Sequence, residues 1–261
     1  MITTPFARLH QGATPLLLPN AWDVPSALAF ARAGYPAIGT TSFGVAASAG
    51  RPDGGRASRD ATLALAEALR GVPVLLSADI EDGFADEPAA VAGYVAVLAR
   101  AGVAGVNVED STAERLVDPA RHVAKIVAIK ERCPEVFVNA RVDTYWLGQD
   151  ASPEDTLARA DAYARAGADG VFLPGLTDPE VLRALTRRLP VPVNTLVVPD
   201  LSLARLADLG VRRVSTGSLP YRAALNAALE VAAAVREGRT PPPGIPYPEL
   251  QAALVEHDAS A

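Results

Sequence analysis

The 261-residue chain has one cysteine, Cys133, three histidines and, within its 24 basic residues, only two lysines. A lone cysteine excludes a disulfide framework within the chain and any cysteine-based metal cluster. His10, His122 and His257 fall near the start, inside a helical stretch and in the tail. Histidine acid–base chemistry and a zinc site are therefore not expected. Lys125 and Lys130 share one helical stretch, which removes the strand-end lysine that a Schiff-base aldolase needs as its nucleophile. There is no basic run, and the net charge is −6, so neither nucleic acid nor an anionic membrane is an expected partner. The longest apolar runs are broken by Gly, Pro or charge well short of the about 18 residues a membrane span needs. Residues Met1 to Leu9 lack a basic start followed by an apolar core. No secretory signal is expected, and the cytoplasm is the expected location.

What is present is ordinary globular composition, 49% hydrophobic and 21% charged, which excludes a disordered chain. At about 150 residues per domain the length gives fewer than two domains, so one domain over residues 1–261 is expected. A local pattern recurs along it. Arg32-Ala33-Gly34, Arg100-Ala101-Gly102, Arg165-Ala166-Gly167 and Asp208-Leu209-Gly210 each precede a short β-branched run. The pattern reads as a helix closed by a glycine in the left-handed conformation, followed directly by a buried strand.

Eight short runs are apolar on both faces: Leu16–Leu18, Ala37–Thr40, Val72–Ala78, Gly105–Val108, Val136–Ala140, Gly170–Leu173, Val193–Val197 and Arg213–Ser215. Continuous rather than alternating hydrophobicity indicates a parallel sheet covered on both sides. Helical stretches lie between them, several opening with Asp-Pro or Ser-Pro, which suits a cap followed by proline in the first turn. Eight strand–helix units in this length predict an α/β fold, a single (β/α)8 TIM barrel over about residues 14–236 with a tail over 237–261. The rival, an open doubly wound sheet, lacks a glycine fingerprint after its first strand. Past the proline-rich Thr240–Gly244, residues Tyr247–His257 read as a short amphipathic helix, packed either on the barrel base or on a neighbouring subunit.

A barrel places its active site at the C-terminal strand ends, so the polar residues there are the candidates. Asp79 and Glu81 share a strand face, and Glu109 ends the next strand. Converging carboxylates without a His or Cys cluster suit a hard, oxygen-seeking cation, Mg2+ first and Mn2+ second. Solvated loop acids or helix caps are the plainer reading of each acid alone. Arg141 is open to two roles, neutralising those acids or clamping a substrate carboxylate or phosphoryl group. Asp53 lies in the Gly-rich connection Ser48–Arg56, either a functional loop residue or a turn aspartate. Asn194, in the seventh run, is a candidate for substrate binding. Trp22 and Trp146 follow the first and fifth runs, as pocket wall or as packing.

The stretches Asp79-Ile80-Glu81-Asp82-Gly83-Phe84, Val106-Asn107-Val108-Glu109-Asp110 and Asn139-Ala140-Arg141-Val142-Asp143 resemble the isocitrate lyase / phosphoenolpyruvate mutase superfamily. Residues Asn20–Ala27 and Ser48–Asp53 fit as well. The resemblance implies a barrel whose last helix is commonly swapped between subunits of a homodimer or homotetramer. It implies Mg2+ held directly or through water by Asp79, Glu81 and Glu109. It also implies Thr41, Ser42 and Phe43 on the carboxylate and carbonyl of a 2-oxo acid, Arg141 on the substrate's carboxylate or phosphonyl end, and Asp53 as the catalytic loop aspartate. There are departures. Residues Ser111–Asp118 hold no cysteine where the lyases carry Lys-Lys-Cys-Gly-His. Pro174 stands where the mutases have a histidine, and Glu81 where an aspartate is more common. The expected activity is Mg2+-dependent cleavage or rearrangement of a C–C or P–C bond in a small 2-oxo or 2-hydroxy acid through a pyruvate enolate. The competing expectation is a catalytically silent barrel that binds a carboxylate metabolite with Mg2+.

Overall fold

The computed structural model describes residues 4–259. Its main sheet is wholly parallel. We number the staves β1 (Leu16–Leu18 and Asn20–Ala21), β2 (Ala37–Thr40), β3 (Leu75–Asp79), β4 (Val103–Glu109), β5 (Phe137–Arg141), β6 (Gly170–Phe172), β7 (Val193–Leu196) and β8 (Val211–Ser215). The first stave closes the cylinder. Its residues Leu16–Leu18 pair with Arg213–Ser215 of β8, and Asn20–Ala21 pair with Gly39–Thr40 of β2. The break falls at Pro19, which has no N–H to give a ladder but whose carbonyl accepts from Gly39 at 2.8 Å. The expected (β/α)8 barrel is what the chain forms.

The four glycine punctuations have the conformation their position demands. Gly34, Gly102, Gly167 and Gly210 have φ of 85°, 97°, 104° and 91°, values a side chain rarely tolerates. Each follows a helix cap, and the chain then drops straight into the next strand. Helix starts are equally local. Asp23 and Ser26 form a reciprocal capping box, and Asp118, Ser152, Asp178 and Ser202 accept from first-turn N–H groups. Stave β3 begins later than the apolar run from Val72, because Gly71, at φ 89°, and Pro73 still belong to the turn. A short helix, Ser42–Ser48, follows β2 at once and is capped by the Thr41 hydroxyl.

Most of the core lies between the outer strand faces and the helices. A smaller apolar cluster of Phe6, Leu16, Leu18, Ala37 and Phe137 seals the N-terminal end of the barrel. The Phe6 ring fits there because a Cβ on Gly105 would come within 2.8 Å of it. Above this floor the interior is polar. Arg213 is 1% exposed, with Nη2 3.2 Å from Asn107 Oδ1 and 3.5 Å from Ser77 Oγ. Burial pushes its pKa down to about 9 against the pull of Asp79.

The tail helix, Tyr247–Asp258, packs on its own chain's Val24–Arg32 helix, burying Ala253 and pairing Arg32 with Glu256 at 2.5 Å. The preceding helix, Leu219–Arg236, buries only Ala234. Among the described residues no helix is long and apolar enough to cross a membrane.

Candidate active site

A cavity of about 210 Å3 opens at the C-terminal mouth of the barrel. Stave β2 leads into Thr41, Ser42 and Phe43, which form one edge of it; Asp79 from β3, Arg141 from β5 and Asp53 from the loop after Ser42–Ser48 face into it. The Ser42 N–H donates to Asp79 Oδ2 at 3.1 Å, and its hydroxyl lies 3.4 Å from Asp53 Oδ1. One serine thus ties both aspartates to the start of one short helix. Burial pushes the Asp79 carboxyl above the usual carboxylate range, and Arg141 and the Ser42 bonds pull against it.

Arg141 is held from two sides. Its Nη1 is 2.8 Å from Glu109 Oε2, and its Nε donates to Asp143 Oδ1 at 2.6 Å. Asp143 is fixed in turn by the Ser111 hydroxyl at 2.6 Å. Burial works against the guanidinium charge, but Glu109 and Asp143 outweigh it and keep the group protonated. Two of the three nitrogens are committed, which leaves Nη2 for a ligand. The Glu109 carboxyl rises well above its ordinary value through burial, with Arg141 opposing.

Of the two expected ways for Asp79, Glu81 and Glu109 to hold an ion, directly or through water, direct contact by all three is not what the geometry offers. Among the described residues no three His, Cys, Asp or Glu side chains are close enough to hold a metal directly. Glu81 is turned to the Asp53 loop: Oε2 accepts from the Arg56 N–H at 2.8 Å and Oε1 from the Ser58 hydroxyl at 2.6 Å. Glu109 is occupied by Arg141. Asp79 alone of the three lines the cavity. The remaining arrangement still fits Mg2+, which keeps several waters and needs only one or two carboxylates in direct contact. Asp79 is half-buried, and among the described residues no cationic side chain forms an ion pair with it. The Ser42, Asp53 and Asn107 side chains that share the cavity can each offer oxygen, the preference of a hard cation.

Asn194 also departs from expectation. It does not line the cavity; its amide exchanges hydrogen bonds with the Ser215 hydroxyl at 3.1 and 3.2 Å. It lies two residues, one interior layer, below the end of β7, where Leu196 and Val197 reach the mouth instead. Alternation within the run Val193–Val197 carries that signal. Asn107 also lines the cavity; it stands two residues before Glu109 on the same face of β4. The stretch after β4 folds into a tight hairpin, Ser111–Thr112 against Arg115–Leu116, and Gln149 bonds both Leu116 and Glu114. None of its residues lines the cavity.

The profile of the phosphoenolpyruvate phosphomutase family matches residues 6–236. The chain belongs to that family. It is 58% identical over 97% of both chains to an uncharacterised protein of Mycobacterium tuberculosis (strain ATCC 25618 / H37Rv). The 2-methylisocitrate lyase of Bacillus subtilis (strain 168) is 31% identical over 72% of this chain and 64% of its own. A crystal structure from Burkholderia cenocepacia J2315, provisionally named a lyase/mutase, superposes with a TM-score of 0.86 at 35% identity, covering 95% of this chain and 93% of that one. Membership of the phosphomutase family makes the chain one of a set of lyase, mutase and hydrolase enzymes built on this barrel.

Proposed function

We propose that this enzyme uses a divalent cation, Mg2+ by preference, to cleave or rearrange a C–C or P–C bond in a small 2-oxo or 2-hydroxy acid. The observation that carries the reading is the convergence of Asp79, Asp53, Ser42 and Arg141 on one small cavity at the strand ends. Asp79 would hold the cation directly, with Glu81 and Glu109 behind it through water. When bound, the cation supplies charge stabilisation for the enolate that develops as the bond breaks.

The chain's own groups account for the rest. Arg141 Nη2 is left to donate to the acid's oxygens, and Glu109 and Asp143 keep that guanidinium from turning away. Asp53 Oδ1 faces the Ser42 hydroxyl, so Oδ2 is available to take a proton from a substrate hydroxyl or to orient a water. No cysteine or histidine lines the cavity among the described residues, so the proton chemistry rests on Asp53. The chemistry named for the Bacillus subtilis relative, lysis of 2-methylisocitrate, supports carbon–carbon cleavage as the reaction class.

The test is release of pyruvate or glyoxylate from a panel of 2-oxo and 2-hydroxy acids, followed by lactate dehydrogenase, with Mg2+ and with excess chelator. Turnover that stops in chelator and returns with Mg2+ is expected. Turnover indifferent to chelator contradicts the cation's role. Tight Mg2+-dependent binding of oxalate without turnover of any panel member marks a carboxylate-binding barrel instead.

A further inference from the structure

The cavity has two chemically different halves. Thr41, Ser42, Asp53 and Asp79 form the polar one. Trp146, Phe172, Pro174, Leu196 and Val197, from the ends of β5, β6 and β7, form an apolar wall facing it. Trp146 and Val197 remain 55% and 46% exposed at the mouth, a costly placement for large apolar groups unless something covers them.

Charge points the same way. Arg141 is the cation inside the cavity, and Glu109 and Asp143 already balance it, with Asp79 and Asp53 adding further negative charge. Arg222 stands exposed at the rim. Along the apolar wall the Trp146 indole N–H is the one side-chain donor, and it carries no charge to balance a second carboxylate or phosphonyl group. Leaving such a group there would strand a charge against apolar carbon.

The wall is held in place. Gly175, at φ 78°, lets the chain after β6 pack against the Tyr145–Trp146 backbone; a Cβ there would stand 3.1 Å from Trp146 N and Cα. That contact sets the backbone of Trp146, whose ring centroid lies 5.6 Å from Arg141 Cζ.

We infer that the acid bound here carries an alkyl or aryl substituent, and that Trp146, Leu196 and Val197 select that substituent. This rests on the 2-oxo-acid reading of the polar half. The experiment uses three probes with one head and different tails: oxamate, N-butyloxamate and N-oxalylglycine, titrated calorimetrically into the Mg2+-loaded protein. N-butyloxamate is expected to bind about tenfold or more tighter than oxamate, the range a few methylenes supply in an apolar pocket, and N-oxalylglycine no tighter than oxamate. The ratio of butyl to unsubstituted affinity should fall several-fold in Trp146→Ala, in Val197→Ser and in Gly175→Ala. Gly175 lies outside the cavity lining, so its effect reports placement of the indole. Equal affinities for the three probes, or preference for N-oxalylglycine, overturn the inference while leaving the head-group reading standing. Failure of all three to bind removes both.

Discussion

Asp79 Oδ2 accepts one hydrogen bond, from Ser42 N–H, whereas both oxygens of Glu81 are taken by Arg56 N–H and the Ser58 hydroxyl. The two carboxylates, two residues apart in sequence, should therefore respond differently to neutralisation. Asp79→Asn is expected to abolish Mg2+ binding by calorimetry and to lower kcat by about 100-fold or more, the scale set by removing one preorganised electrostatic group. Glu81→Gln can keep an acceptor for the Arg56 N–H but must turn its NH2 to the Ser58 hydroxyl, and it loses the carboxylate charge from both bonds. It should cost about 1–3 kcal/mol of stability in denaturant unfolding and affect kcat less than Asp79→Asn does. His122 offers a different test, because it is buried with neither ring nitrogen bonded and lies edge-on to Tyr163. Burial first, then Lys125 and Arg159, push its pKa down to about 3 from an ordinary 6.5. The folded imidazole stays neutral while the unfolded one takes up a proton as pH falls below about 6.5. Stability should therefore decline from there towards pH 3. His122→Phe should lessen that decline between pH 7 and pH 5 in thermal unfolding, with His10, also pushed down to about 3 by burial, keeping the rest. An unchanged slope would assign the pH dependence to other groups.

The loop that carries Asp53 is anchored by the turn after β3 and, through that turn, to the hairpin after β4. Arg56 grips Asp82 through Nε at 3.1 Å and Nη2 at 2.6 Å; Asp82 also accepts from the Thr112 hydroxyl at 2.9 Å, and Lys125 lies 3.9 Å away. Asp82 is 3% exposed, so these bonds form largely out of water and screening is weak. Asp82→Asn removes the buried carboxylate that Arg56 and Lys125 share and leaves Arg56 only the exposed Asp86. A loss of about 3 kcal/mol is expected, the scale for breaking a buried pair from one side. If the latch positions Asp53, kcat should also fall more than KM changes, and Asp82→Glu should restore part of it. This junction shows where reading the chain alone stops. Helix ends, caps and strands were legible because each depends on a few consecutive residues: glycine at positive φ, Asp-Pro or Ser-Pro starts, and apolar runs ending at the first charge. That Asp79 and Arg141 would face one mouth followed from barrel geometry, whereas Asp53 was open between a loop role and a turn, and only the family resemblance put it in the site. The partners of Glu81 lie more than twenty residues away on a loop without periodicity, so its role as a loop anchor was not legible. The interior place of Arg213, between Ser77 and Asn107, likewise exists only once the cylinder has closed.

At the scale of the whole molecule, seven barrel helices cover their strands and the Leu219–Arg236 helix does not cover its own. It leaves Leu225 52%, Leu229 71% and Val235 65% exposed and buries only Ala234. Surface leucines are individually unremarkable, but a row of them along one 18-residue helix leaves a large apolar face in water. Each such side chain is worth about 1.5–3 kcal/mol when buried, so the row is enough to drive association. A second copy of the chain, meeting this helix with its own, is the occupant that symmetry favours. The protein is therefore expected to run as a homodimer or homotetramer in light scattering after size exclusion. The double variant Leu225→Asp/Leu229→Asp should dissociate it while the far-ultraviolet circular dichroism is retained. The helix begins at Ser218 and Leu219, which line the cavity, so an association through this helix would be joined mechanically to the site. A dissociated variant should accordingly lose turnover along with its partner. A monomeric wild type, or a monomeric variant with undiminished kcat, would show that the helix stands alone and that each barrel works by itself.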